Sequence, residues 1–135
     1  MPFFSWDESY SVGIRQFDEH HKQLVSLVNQ LYDAMLDGKG GQELHKTLDS
    51  LFEYTVFHFA SEEKLLLQHG YPDYQKHFSQ HSALKSKVID YRSKVEKGQV
   101  GTSVQVANFL KEWLVNHIQV EDKKYRSFLQ AKGVH

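Results

Sequence analysis

His77 and His81 stand four residues apart in the segment KHFSQHSA. On a helix, side chains at i and i+4 lie one above the other on the same face. The pair therefore presents two imidazoles in one direction. His58 and Glu62 repeat the spacing with an imidazole and a carboxylate. Such donors without thiolates suit iron, zinc, copper or nickel. Histidine fills 9 of the 135 positions and cysteine none. That histidine density invites a metal-binding reading. The lack of cysteine excludes disulfides, zinc–thiolate sites and iron–sulfur clusters.

Four helices are needed to position these residues. Breaks fall at Gly38, Gly40 and Gly41, at the HGYPD segment and at Gly98 and Gly101. Between them the periodicity predicts helices over about 18–37, 42–67, 73–97 and 102–130, after an arm over 1–17 that carries Phe3, Phe4, Trp6 and Tyr10. Short loops between long helices make neighbours antiparallel. The expected fold is all-α: one domain over 1–135, an up-down-up-down four-helix bundle with an N-terminal arm.

The core-facing seams alternate steps of three and four residues, as left-handed bundles require. The first helix gives His21, Val25, Val28, Tyr32 and Met35. The second gives Leu44, Leu48, Leu51, Thr55, His58, Glu62 and Leu65. The third gives His77, His81, Leu84, Val88, Tyr91 and Val95, and the fourth Val106, Leu110, Trp113 and His117. Histidines and a glutamate thus occupy positions where leucines belong. In antiparallel order, all of them fall at one end of the bundle. An unpaired buried polar group costs about 1–3 kcal/mol. A lone core histidine is more often simply hydrogen-bonded. Convergence from four helices instead favours metal binding, whose free energy becomes folding energy. The donors are too many for one tetrahedral zinc, so two ions are expected. There is neither an H-E-x-x-H motif nor a Glu-x-x-His pair, which sets the chain apart from zinc proteases and ferritin-like carboxylate bundles.

The segments FDEHHKQL, HFASEE, HGYPDYQKHFSQH and WLVNHIQVED, in that order, resemble those of the hemerythrins, especially the bacterial type. The arm FSWDESYSVGI is similar too, so the resemblance spans nearly the whole chain. It implies two non-haem irons bridged by an oxo or hydroxo group. His77, His81 and His117 would hold one, and His21 and His58 the other. Glu62 and Asp122 would bridge both. One coordination position then stays open for dioxygen, on the iron with two histidines. The resemblance also implies an apolar oxygen pocket formed by Leu24, Phe59, Trp113 and Leu114. Leu66 departs from the pattern, standing where the family has methionine.

Three assignments have competitors. His21 lies about 30° from the centre of its helix's apolar face and His20 about 70°, so His20 reads as a surface residue or a support behind a ligand. Glu62 is four residues after His58 and faces inward, whereas Glu63 points about 100° further round. At the fourth helix, spacing alone selects Glu121, four after His117, while the resemblance selects Asp122. His45, His69 and His135 read as surface residues.

Formal net charge is −1, which argues against a nucleic-acid partner. No apolar run reaches the length of a membrane span. The start, MPFFSWDESY, lacks the charged and apolar regions of a secretory signal. A cytoplasmic monomer is expected. The resemblance implies reversible dioxygen binding, for storage or for delivery to an oxygen-consuming enzyme, rather than enzymatic turnover. The alternatives are a di-iron oxidoreductase (peroxidase, oxidase or nitric-oxide handling) or an oxygen or redox sensor module.

Overall fold

The 3–4 seams close into an antiparallel bundle. This computed structural model describes residues 3–36, 40–97 and 103–135. Helix α1 spans Arg15–Leu36, α2 Gly40–Gln68 and α3 Tyr74–Glu96. The fourth rod has three parts: α4 (Ser103–Asn116), a π-helical turn (His117–Asp122) and α5 (Lys123–Ala131). Helix α1 packs beside α2 and α4, and α2 beside α3. Gly40 and Gly41, read as part of a break, instead open α2. The breaks at Gly38, Gly98 and Gly101 lie outside the described residues.

The seam residues sort by depth. Val25, Val28, Leu44, Leu48, Leu51, Leu84, Val88, Val106 and Leu110 are buried and fill the end of the bundle away from the histidines. Tyr32, Met35 and Tyr91 are partly buried. At the end of α2 the fully buried residue is Leu66, and Leu65 only packs against the core. Leu66 is four residues beyond Glu62, so the inward stripe takes a step of four there.

Helix α2 ends in a Schellman turn. The Tyr71 amide donates to the Leu66 carbonyl at 2.9 Å and the Gly70 amide to Leu67 at 3.1 Å. This turn needs a left-handed residue after the helix, and Gly70 takes φ +72°. It sends the chain directly into α3, so His58 and Glu62 come to lie beside His77 and His81.

The arm is strapped across α1 and α4. Phe4 is buried, and its backbone N–H and C=O both bond the Asn29 side chain at 2.7 Å. Phe3 stacks on Tyr32 at 4.0 Å, and its carbonyl accepts from Lys111 Nζ at 2.8 Å. Asp18, in the first turn of α1, accepts from the Val12 amide at 2.8 Å and the Ser11 hydroxyl at 2.6 Å. A carboxylate there also suits the positive end of the helix dipole. Among the described residues, no helix is long and apolar enough to cross a membrane.

Candidate metal centre

Each rod delivers donors to one level of the bundle. Helix α1 brings His21, α2 His58 and Glu62, α3 His77 and His81, and the π-turn His117 and Asp122. All seven are at most 5% exposed. Their donor atoms form two groups. One holds His77, His81, His117, Glu62 and Asp122, and the other His21, His58, Glu62 and Asp122.

The two carboxylates divide their oxygens between the groups. Glu62 Oε1 lies 2.9 Å from His77 Nε2 and 3.4 Å from His81 Nε2. Glu62 Oε2 lies 3.0 Å from His58 Nε2 and 3.2 Å from His21 Nε2. Asp122 Oδ1 is 3.0 Å from His77 Nε2 and 3.1 Å from His117 Nε2, while Oδ2 is 3.1 Å from His21 Nε2. Two lobes therefore share two bridging acids.

The π-turn decides between Glu121 and Asp122. In an α-helix the residue four after His117 would share its face. A π-turn bonds i to i+5 and adds one residue to the turn, so Asp122 comes over His117 instead. Glu121 is turned outward, 3.4 Å from Lys124 and 3.9 Å from Lys76. Ile118, Asp122, Tyr125 and Leu129 are all buried. They continue the seam in steps of four, three and four. That downstream register is the signal in the sequence that a turn had slipped.

Neighbouring rings and acids set one another's protonation. Burial opposes charge on Glu62, yet His58, His21 and His77 hold its pKa well below the usual carboxylate range. Asp122 is likewise held low, against burial and the Glu62 charge, by His117 and His21. Burial pushes His21 and His77 down, but the adjoining Asp122 and Glu62 carboxylates prevail and raise them to about 9 and about 10. For His58, burial prevails over Glu62 and lowers it to about 4.

The donor set fits a metal pair better than a hydrogen-bond network. His81 Nε2 and His117 Nε2 face one another at 3.0 Å, a contact that consumes one proton and satisfies neither carboxylate. Asp122 Oδ1 is fully buried and makes no hydrogen bond, although His77 Nε2 and His117 Nε2 lie 3.0 and 3.1 Å away. Nitrogen and oxygen lone pairs converging on a common point are what a cation requires.

Three supports back these donors: Tyr125 and Glu63, which the sequence reading did not find, and His20, for which it left a surface place or a supporting one open. The Tyr125 hydroxyl, wholly buried, donates to Glu62 Oε2 at 2.9 Å. Glu63 reaches His81 from behind, with Oε2 2.7 Å from Nδ1. His20, 9% exposed, places its Nδ1 2.9 Å from Nδ1 of His58. Outer partners of this kind fix the orientation and tautomer of a ligating ring. His45, His69 and His135 belong to neither group.

One helical turn from the donors lies an apolar layer. Leu24, Thr55, Leu84 and Leu114 are each three residues from His21, His58, His81 and His117, and all four line one cavity with Phe59. Its volume is about 10 Å³ for the centre of a water-sized sphere, at the lower bound for a single water molecule. Phe59 also stacks on His81 at 3.6 Å. Trp113 lies elsewhere: it stacks on His117 at 4.3 Å and lines an outer cleft with Gln80, Asn116 and Glu121. The four expected pocket residues thus divide, three at the inner cavity and one on the outer face of the site.

An antiparallel bundle holding a buried, two-lobed imidazole–carboxylate cluster defines a narrow class of helical metal-binding proteins. Residues 12–129 match the family model for the hemerythrin HHE cation-binding domain, and the chain belongs to the hemerythrin family. It is 33% identical over 132 residues to a bacteriohemerythrin of Methylococcus capsulatus, covering 97% of this chain and 100% of that one. It is 32% identical to a hemerythrin-like protein of Naegleria gruberi, over 93% of each chain. A solved structure of wild-type hemerythrin superposes with a TM-score of 0.87 at 32% identity, covering 93% of this chain and 96% of the other.

Proposed function

We propose that this protein binds dioxygen reversibly at a non-haem di-iron centre, for storage or for delivery to oxygen-consuming enzymes. The observation that carries the reading is the split of Glu62 and Asp122, each offering one oxygen to each lobe. His77, His81 and His117 would hold one iron, and His21 and His58 the other. When bound, the iron pair supplies both the affinity for dioxygen and the electrons its binding calls for.

The chain's own groups do the rest. Five rings and two acids, held from four rods, set the geometry in advance. Tyr125 and Glu63 restrain Glu62 and His81 by the bonds given above. The apolar layer of Leu24, Leu84, Leu114 and Phe59 keeps water from the inner side of the cluster. Neutral imidazoles can donate only through the nitrogen turned away from the site, so proton supply to a bound ligand is poor. That favours release of the ligand over its reduction.

Metal analysis combined with visible spectra tests the reading. The reduced protein should contain about two irons per chain, colour on exposure to oxygen, and lose that colour under vacuum. Steady consumption of oxygen with a reductant would instead favour the oxidoreductase alternative. A partner captured in only one redox state would favour a sensor.

A further inference from the structure

We infer that His20 is a positioning residue specific to the two-histidine lobe, acting through the Nδ1–Nδ1 hydrogen bond to His58. The inference rests on the two-metal reading above.

One ring in each lobe is backed by a hydrogen bond from behind. In the three-histidine lobe, His81 is backed by a carboxylate, Glu63. In the two-histidine lobe, His21 Nδ1 has no hydrogen-bond partner. His58 is backed by His20 at 2.9 Å. Among the described residues, His20 is thus the hydrogen-bonding neighbour behind the rings of that lobe. His20 is itself held edge-on by Tyr54 at 6.0 Å and lies against Phe57 at 5.1 Å.

The chemistry suits a partner that can both give and take a proton. Without metal, His58 Nε2 lies 3.0 Å from Glu62 Oε2, which draws the proton of the neutral ring to Nε2. Its Nδ1 must then accept, and His20 Nδ1–H donates. When Nε2 of His58 takes a cation, the proton on Nε2 leaves to solvent. His58 then needs a proton on Nδ1, which crosses from His20 Nδ1, and His20 takes one from water on Nε2. The proton count balances, with both rings neutral before and after. A carboxylate could only accept in this position and a lysine could only donate. Imidazole does both, and so does a glutamine amide by rotating.

Anaerobic cobalt(II) titration, followed by absorption and by the exchangeable ring-proton resonances, tests this on the full chain. The wild type should bind two ions in distinguishable steps. His20→Phe should weaken only the weaker step by about 10–100-fold and remove one slowly exchanging ring-proton signal. His20→Gln should restore both. Equal weakening of both steps, no weakening in His20→Phe, or a His20→Gln as poor as His20→Phe would each overturn the inference. A wild type that takes up fewer than two ions would overturn the two-metal reading and this inference with it. Nitrogen NMR of the zinc-loaded wild type needs no variant: His20 should be neutral with its proton on Nε2, and a proton on Nδ1 would refute the relay.

Discussion

Replacing Tyr125 with phenylalanine isolates one buried hydrogen bond. The ring stays, so packing against Phe17 at 5.8 Å and Tyr71 at 6.5 Å is kept. What disappears is the hydroxyl that donates to Glu62 Oε2 at 2.9 Å, between two groups that are both 0% exposed. Hydrogen bonds to a charged acceptor contribute roughly 1.5–3 kcal/mol. Glu62 Oε2 still has His58 at 3.0 Å and His21 at 3.2 Å, so it is not orphaned. The cost should therefore fall near the low end, about 1.5–2 kcal/mol. For a chain of this length the unfolding entropy converts that to a melting temperature lower by roughly 5–7 °C. The measurement is thermal unfolding of the metal-free protein at pH 7, followed by circular dichroism. The fold content should be unchanged. A variant melting within about 1 °C of the wild type would refute the claim that Tyr125 anchors the bridging acid.

Three further outcomes are expected. Asp122→Ala should abolish uptake of the cobalt pair, whereas Glu121→Ala, at a carboxylate 20% exposed, should bind normally and change stability by no more than about 0.5 kcal/mol; the reverse result would contradict the π-turn register. In the metal-free protein, His21 and His77 have folded pKa values raised to about 9 and about 10. Their contribution is complete below the unfolded value of about 6.5 and is lost as pH rises through the folded values, so the urea midpoint should fall between pH 7 and 10; a flat profile would show that these rings are not paired with Glu62 and Asp122. Gly13→Ala should destabilise by about 1–2 kcal/mol in urea unfolding. Gly13 sits at φ +71° and an added Cβ would meet Arg126 Nε at 2.5 Å, so an unchanged midpoint would mean that the arm adopts another path in solution.

The bundle was legible because its signal is repeated in every rod. Each seam alternates three and four, and four seams agreeing leave little room for another fold. The polar end was legible for the same reason: His21, His58, His77 and His117 interrupt four separate apolar stripes at one level. The acid of the fourth rod was not legible from spacing counted forward from His117, only from the register of Tyr125 and Leu129 beyond it. Periodicity assumes a uniform helix, and at His117–Asp122 the helix is not uniform. There the family resemblance carried information that geometry alone lacked. Leu65 against Leu66 failed more simply, since a step of three and a step of four are equally regular. Glu63 was read correctly as pointing away from the seam, but an outward direction from α2 meets α3, and only the packing reveals His81 there. Trp113 lies in the seam by spacing, yet its ring turns to the outer face of His117 because Leu114 already fills the inner layer.

The tight Gly70 turn has a bearing on assembly. Four of the seven donors, His58, Glu62, His77 and His81, sit on a single helical hairpin. Closing a short loop costs little chain entropy, so this hairpin alone can bring more than half of the cluster together. His117 and Asp122 complete the cluster from the fourth rod, and they reach it together only because the π-turn supplies one extra residue between them.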